Sequence, residues 1–233
     1  MAKRQRQILI VFKQGAIGGP VASARFLITM DINEILRFLQ EQIHSVIVAT
    51  VDENHLPVTC DVDIMDYDDK GIYILTAKGK NFYNRLKTSK YLSLTGMKGK
   101  DTMSRVAVSL AGKVKEIGTS KLSELLEKNP YMYEIYRTEE SRIALSVFCI
   151  YEFHGELFDL SKKPIKRFSF SFGAKTKEQE YYISDICNGC GKCISVCPQK
   201  CIVIAEKAHI KQENCLHCGN CLTICPIKAI KRN

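Results

Sequence analysis

The sequence predicts a mainly β domain carrying a few helices (α+β), followed by a small cysteine-rich domain built from two copies of one motif. Three observations predict this. Between residues 45 and 160 short runs rich in β-branched residues alternate with turn signals. An amphipathic helix precedes them at residues 31–44. Near the end, "CNGCGKCISVCP" at 187–198 returns as "CLHCGNCLTICP" at 215–226.

The chain has 233 residues, 45% of them apolar, enough for one large domain or for one medium domain with a small appendage. Residues 1–29 form a basic N-terminal extension with five basic and no acidic side chains. Its apolar core "ILIVF" is only five residues long, too short for a signal peptide. No apolar run approaches the roughly 18 residues that span a bilayer. A cytoplasmic location with no membrane partner is therefore expected. The loop "GAIGGP" at 15–20 lacks the strand-loop-helix context of a dinucleotide site and contains Pro20.

The net charge of +9 does not mark a nucleic-acid partner, because its distribution is uneven. Residues 30–180 carry 22 side chains of each sign, and residues 181–233 carry seven basic against three acidic. The extension is read as a solvated arm, and no nucleic acid is expected to bind.

The first domain is placed at residues 30–160. "DINEILRFLQEQIH" opens with a capping-box pattern, Asp31 to Glu34, and sets Ile32, Ile35, Leu36, Leu39 and Ile43 on one helical face. Strands follow at "SVIVATVD", "PVTCDVDIM" and "GIYILTA", separated as antiparallel hairpins by "DENHLP" and "YDDKG". Further strands are "YLSLTG", "SRVAVSLAGKVKEI", "IALSVFCIYEF" and "ELFDL". Helices are expected from about Asn81 to Thr88 and from Ser120 to Lys128, the second stopped by Asn129-Pro130. Such a series predicts a β-barrel or a curled sheet. Cys149 lies in an apolar run and reads as a small hydrophobe.

Residues 161–180 read as a connector, although the alternation of Phe168, Phe170 and Phe172 predicts a strand within it. The last domain, 181–233, contains Cys187, Cys190, Cys193 and Cys197 before Pro198, and Cys215, Cys218, Cys221 and Cys225 before Pro226. This is C-x2-C-x2-C-x3-C-P written twice. Eleven cysteines in a reducing compartment point to metal or cluster ligation over disulfides. Structural zinc also uses paired C-x2-C motifs, but it does not call for a third cysteine two residues on and a fourth before proline.

The domain resembles the bacterial ferredoxins that carry two 4Fe-4S clusters, over its whole length. The resemblance implies crossed ligation. One cluster would use Cys187, Cys190, Cys193 and Cys225, and the other Cys215, Cys218, Cys221 and Cys197. Two such clusters with their thiolates contribute about −4, which offsets the local +4. Cys201 stands where the second copy has Ala229, and reads as a small buried residue.

"GIYILTAKGKNFYNRLKTSKYLSL" is similar in its order of elements to the FMN-binding split barrels of the pyridoxamine phosphate oxidase type. A strand ends in Thr76, a Lys/Gly-rich turn follows, and a helix leads into the next strand. The likeness extends over roughly residues 30–160. It implies an FMN phosphate clamp made of Thr76, Lys78, Lys80 and Asn81 at a helix N-terminus. It also implies that Thr59, Cys60 and Asp61 lie near the flavin ring, and that two barrels form a homodimer around the cofactor. Where the oxidase has basic residues, this chain has Cys60, Met65, Asn81 and Phe82, which argues against a vitamin B6 phosphate as substrate. The five histidines show no triad or metal spacing and receive no chemical role.

Clusters move single electrons and a flavin handles one or two, so the joined domains imply an oxidoreductase relaying electrons between two 4Fe-4S clusters and FMN. A redox partner protein or a small-molecule acceptor would complete it. The alternative is a flavin-free barrel, holding haem or a deazaflavin or serving to dock the ferredoxin module.

Overall fold

The computed structural model describes residues 31–174 and 180–232, so the expected basic arm and its "GAIGGP" loop lie outside the described residues. Helix α1 (Ile32–Arg37) begins at a complete capping box. Asp31 Oδ1 accepts from the Asn33 N–H at 3.2 Å and Glu34 Oε2 from the Asp31 N–H at 3.3 Å. The helix continues as a wider π turn over Phe38–Ile43 and stops at His44, whose φ is 63°. Ile35, Leu36 and Leu39 are buried, as the expected face requires.

The strands β1 (Ser45–Val51), β2 (Pro57–Asp68) and β3 (Gly71–Ala77) form consecutive antiparallel hairpins. Helix α2 (Asn81–Ser89) follows, then β4 (Tyr91–Lys98) and β5 (Val106–Gly118). A helical excursion of α3 (Leu122–Lys128), α4 (Met132–Ile135) and α5 (Glu139–Arg142) precedes the long β6 (Leu145–Asp159) and then β7 (Lys166–Phe172). The strand order is β3-β2-β1-β4-β5-β6-β7, and a further pairing of β3 with β6 closes a six-stranded antiparallel barrel.

Strand β6 explains why the barrel is split. Leu145 to Ile150 pair with β3, whereas Phe153 to Asp159 pair with β7. The strand leaves one neighbour and takes another, so the barrel opens into a sheet at that end. The runs expected as two strands, 143–153 and 156–160, are therefore one strand passing through His154 and Gly155. Gly155 allows a close approach here: a Cβ would lie 2.4 Å from the Ser109 carbonyl oxygen and 2.6 Å from Phe170 Cζ. Residues 166–172 of the expected connector are the seventh strand of this sheet, with Phe170 buried.

The barrel interior is apolar, with Val48, Ile64, Ile74, Val108 and Phe148 fully buried and Phe82 and Leu86 of α2 packed among them. A second core beneath α3 holds Met65, Tyr73, Leu125, Val147 and Cys149, the last buried as expected. Its buried Asn129 is satisfied by donating to the Met65 and Leu125 carbonyls, both at 2.8 Å.

The tail contains β8 (Tyr181–Ile183), α6 (Lys192–Ser195), β9 (Ile202–Ile204), β10 (Ala208–Ile210), α7 (Asn220–Ile224) and β11 (Ile230–Arg232). β9 pairs with β10, and β8 with β11, joining the two ends of the tail. The copies of the motif enter their short helices alike, through Gly191 at φ 76° and Gly219 at φ 81°, where any side chain would be strained. No helix among the described residues is long and apolar enough to cross a membrane.

Candidate redox site

The tail encloses two cavities, and each is ringed by four of the eight motif cysteines. One is lined by Cys187, Cys190 and Cys193 from the first copy and by Cys225 from the second. The other is lined by Cys215, Cys218 and Cys221 from the second copy and by Cys197 from the first. The fourth cysteine of each run thus stands at the other run's cavity, which is the expected crossed grouping. Among the described residues no three His, Cys, Asp or Glu side chains converge closely enough to hold a single ion. Four thiols around a void suit a cube of iron and sulfide, with one thiolate per iron corner, better than the tight tetrahedron of zinc.

Cys201 is buried as expected, but it also lines the second cavity, with its Sγ 3.4 Å from Cys197 Sγ. The second copy has fully buried Ala229 in its place.

The tail meets the barrel through β7 and through Ile165 just before it. The Ile165 N–H donates to Gln199 Oε1 at 3.2 Å, and Asn214 Nδ2 donates to the Ile165 carbonyl at 3.1 Å. Arg167 is gripped by Glu156 at both carboxylate oxygens, with Nε to Oε2 at 2.9 Å. Its Nη1 reaches the His217 ring, 2.6 Å from Nε2. Burial first, and then the Arg167 guanidinium, pull the His217 pKa down to about 4, so the ring is neutral near pH 7.

In the barrel, β3 ends at Ala77, one residue beyond the expected Thr76, which lies opposite Ser146. The Thr76 Oγ1 is buried and has no hydrogen-bond partner. Beside it, Ser146 Oγ donates to Glu116 Oε1 at 2.5 Å, and Lys87 Nζ of α2 donates to Oε2 at 2.7 Å. These bonds, that of Lys87 foremost, hold the Glu116 carboxyl below its usual range. Lys78, Lys80 and Asn81 follow in the turn and are exposed. Lys80 is the N-cap of α2 and gives no side-chain cap, which leaves the helix's first N–H groups open to an anion.

Strand β2 separates the three residues expected near a ring. Thr59 and Asp61 are exposed, opposite Ala49 and Ile47 of β1, whereas Cys60 turns inward against the barrel core. Burial pushes the Cys60 thiol up, while the nearby charges of Arg85 and Lys80 pull it down. Arg85 was not foreseen. Its Nε donates to Thr50 Oγ1 at 2.8 Å, bringing a second cation from α2 to the position of Cys60. Its place four residues after Asn81, on one helical face with it, was the available signal.

A groove of about 810 Å3 runs along the sheet from β1 through β4, β5 and β6 to β7. Ile47, Tyr91, Leu110, Phe153, His154 and Glu156 are among its walls, and the expected clamp and ring residues are not.

Residues 32–153 match the family model for pyridoxamine 5'-phosphate oxidase. The chain belongs to that family. Residues 172–229 match a 4Fe-4S dicluster domain, so the tail is a carrier of two 4Fe-4S clusters. No curated protein matches the chain. Among solved structures, a NimC/NimA family protein from Clostridium acetobutylicum shares 18% identity, covering 60% of this chain and 91% of that one, at a TM-score of 0.50. A pyridoxamine 5'-phosphate oxidase-related, FMN binding protein from Nostoc punctiforme shares 10% over 62% of this chain and 91% of its own, at 0.40. A heme binding protein from Mycobacterium smegmatis shares 12% over 58% and 56%, at 0.45. These likenesses are of fold alone.

Within the oxidase family, this member buries Met65 and Phe82 in apolar cores, so neither position offers a cation to a substrate. An oxidase-type barrel joined to a dicluster domain is a chain for electron transfer.

Proposed function

We propose that this chain is an iron-sulfur flavoprotein that relays electrons between two 4Fe-4S clusters and FMN, acting as a homodimer in a reducing, cytoplasmic compartment. The observation that carries the reading is the crossed grouping of eight cysteines around two cavities, in a tail hydrogen-bonded to an oxidase-family barrel. When bound, the clusters supply single electrons and FMN supplies a one- or two-electron store.

The chain's own residues do the holding. Each thiolate set uses three cysteines from one tight loop and one from the other, which ties the two copies together. In the barrel, the unpartnered Thr76 hydroxyl, the ammonium groups of Lys78 and Lys80 and the open N-terminus of α2 suit a phosphate dianion. Asn81 adds an amide at the same helix end. Cys60 and Arg85 stand beside Lys80 as neighbours for the rest of the cofactor, with Thr59 and Asp61 on the outer face of the same strand. A second copy closing over the groove would exclude water from that face. The acceptor is a redox protein or a small molecule admitted to the groove.

A second reading has one observation in its favour: His154 offers an imidazole within the groove, where haem could lie. The visible spectrum of anaerobically purified protein, with acid release of any flavin, separates the two. The relay predicts about one FMN per chain with about eight iron and eight acid-labile sulfide. A Soret band with no releasable flavin would replace FMN by haem, and zinc without sulfide would remove the clusters.

A further inference from the structure

Among the described residues, three side-chain contacts between tail and barrel arrive beside the same one of the two cavities. Gln199 follows Cys197 by two residues, Asn214 immediately precedes Cys215, and His217 lies between Cys215 and Cys218. Cys197, Cys215 and Cys218 all line the second cavity. Asn214 is itself buried, so this end of the tail is seated and does not merely touch. The turn that carries it, Gln212–Asn214, packs against β7.

The contact at Arg167 reaches further. Glu156, which holds the guanidinium, is also a wall of the barrel groove. Glu156, Arg167 and His217 therefore form a continuous line of side chains from the groove to the loop of the second cavity. Both cavities have exposed residues in their walls, Cys190, Lys192 and Ile227 at the first and Pro198, Cys218 and Asn220 at the second, but none of the three contacts with the barrel arrives at the first.

We propose that the tail is oriented, with the Cys197/Cys215/Cys218/Cys221 site as the inner one facing the barrel and the Cys187/Cys190/Cys193/Cys225 site as the outer one open to carriers, and that Arg167 is the positioning residue. The orientation rests on the proposed relay only for its meaning in electron transfer. With clusters held by these cysteines, the outer site would take one electron from each of two low-potential one-electron carriers, both oxidised, and the inner site would hand the two electrons on to a two-electron acceptor in the barrel. Arg167 acts through His217 on the inner site alone: a fixed positive charge there favours the more negative, reduced state.

The test is an anaerobic redox titration of the full chain with both clusters loaded, followed by electron paramagnetic resonance. Cys218→Ser and Cys190→Ser each alter one exposed ligand and so label which signal belongs to which site. Arg167→Gln is expected to move the midpoint potential of the Cys218-labelled signal to more negative values and leave the Cys190-labelled signal in place. Arg167→Lys should restore most of the shift, and Glu156→Gln should move the same signal the opposite way. Glu156→Gln carries the test alone should Arg167→Gln lose its clusters. A shift confined to the Cys190-labelled signal, equal shifts in both, or none in either would overturn the orientation. Flavin measured in the same samples keeps the two questions apart: a selective shift in protein without flavin would remove the relay and leave the orientation supported.

Discussion

Leu39, Val48, Ile64, Ile74 and Phe148 are completely buried at the centre of the barrel, whereas four of the eight buried residues at the centre of the tail are cysteines. The barrel is closed by side chains that have nothing to do but pack, and its fold follows from the hydrophobic effect. The tail has about 50 residues and strands of three residues, too little to bury a self-sufficient core. Three of those four cysteines, Cys193, Cys215 and Cys221, belong to the motif, so much of the tail's interior is ligand. The difference teaches that one region should be a stable scaffold with or without its cofactor, and the other should fold as its clusters form.

The largest expected effect follows directly. Anaerobic removal of iron by a chelator should abolish amide protection across residues 181–232 and leave the barrel protected, as read by hydrogen exchange. Uniform retention of protection in the iron-free tail would show that Ile202, Ala208 and Ile230 suffice as a core, and the contrast between the regions would fail. The converse change is smaller. Ile74→Ala, at a fully buried barrel position, should cost about 2–5 kcal/mol of barrel stability in denaturant titration and leave iron at about eight per chain. Loss of iron in step with loss of barrel stability would mean that the tail depends on the barrel for its fold.

The same contrast explains what could be read from the sequence. Local signals worked where local physics decides: Asp31 and Glu34 announce the capping box, and the turn signals separate β1, β2 and β3. The cysteine spacing announces its chemistry because three of the four cysteines in each run meet one cavity within a few residues. Gly155 misled, since a glycine after His154 reads as a break, and only the partner strands reveal that it admits the Ser109 carbonyl and the Phe170 ring. The widening of the first helix at Phe38 and the contacts of β7 with the tail are products of tertiary packing, with no local signature. Arg85 belongs to the same class, because its meaning depends on Thr50 and Cys60 across the fold. Within Thr59, Cys60 and Asp61 the period of a strand was legible, although which face turns to the core was not.

An intermediate effect is expected at the anion end of α2, where the barrel ceases to be pure scaffold. Lys78→Ala and Lys80→Ala should each weaken FMN by about 1.5–3 kcal/mol, roughly ten- to hundredfold in Kd, by fluorescence titration. Added salt should weaken the unaltered protein as well, because exposed ammonium groups are screened. Tight, salt-insensitive binding by the double variant would move the phosphate elsewhere. Barrel unfolding should change little, since both lysines are exposed and lie outside the core.

The smallest effect is expected where the tail most resembles the barrel. Cys201 is a sulfur among ligand sulfurs, and its neighbour Cys197 is only 3.4 Å away, yet the pseudo-equivalent position in the other half is filled by Ala229. A site that serves with alanine in one copy of the motif needs no fifth thiol for assembly in the other. Cys201 is then packing, as Cys149 is in the barrel. Cys201→Ala should cost about 1 kcal/mol or less and leave about eight iron and eight sulfide per chain, whereas Cys197→Ser should perturb the cluster of the second loop. Iron falling to about four in Cys201→Ala, with no such change in Cys197→Ser, would exchange the two roles: Cys201 would be the crossing ligand and Cys197 the packing residue. Their separation of four residues, with Pro198 between them, lets both stand at the same cavity, so the metal content of the two variants decides between them.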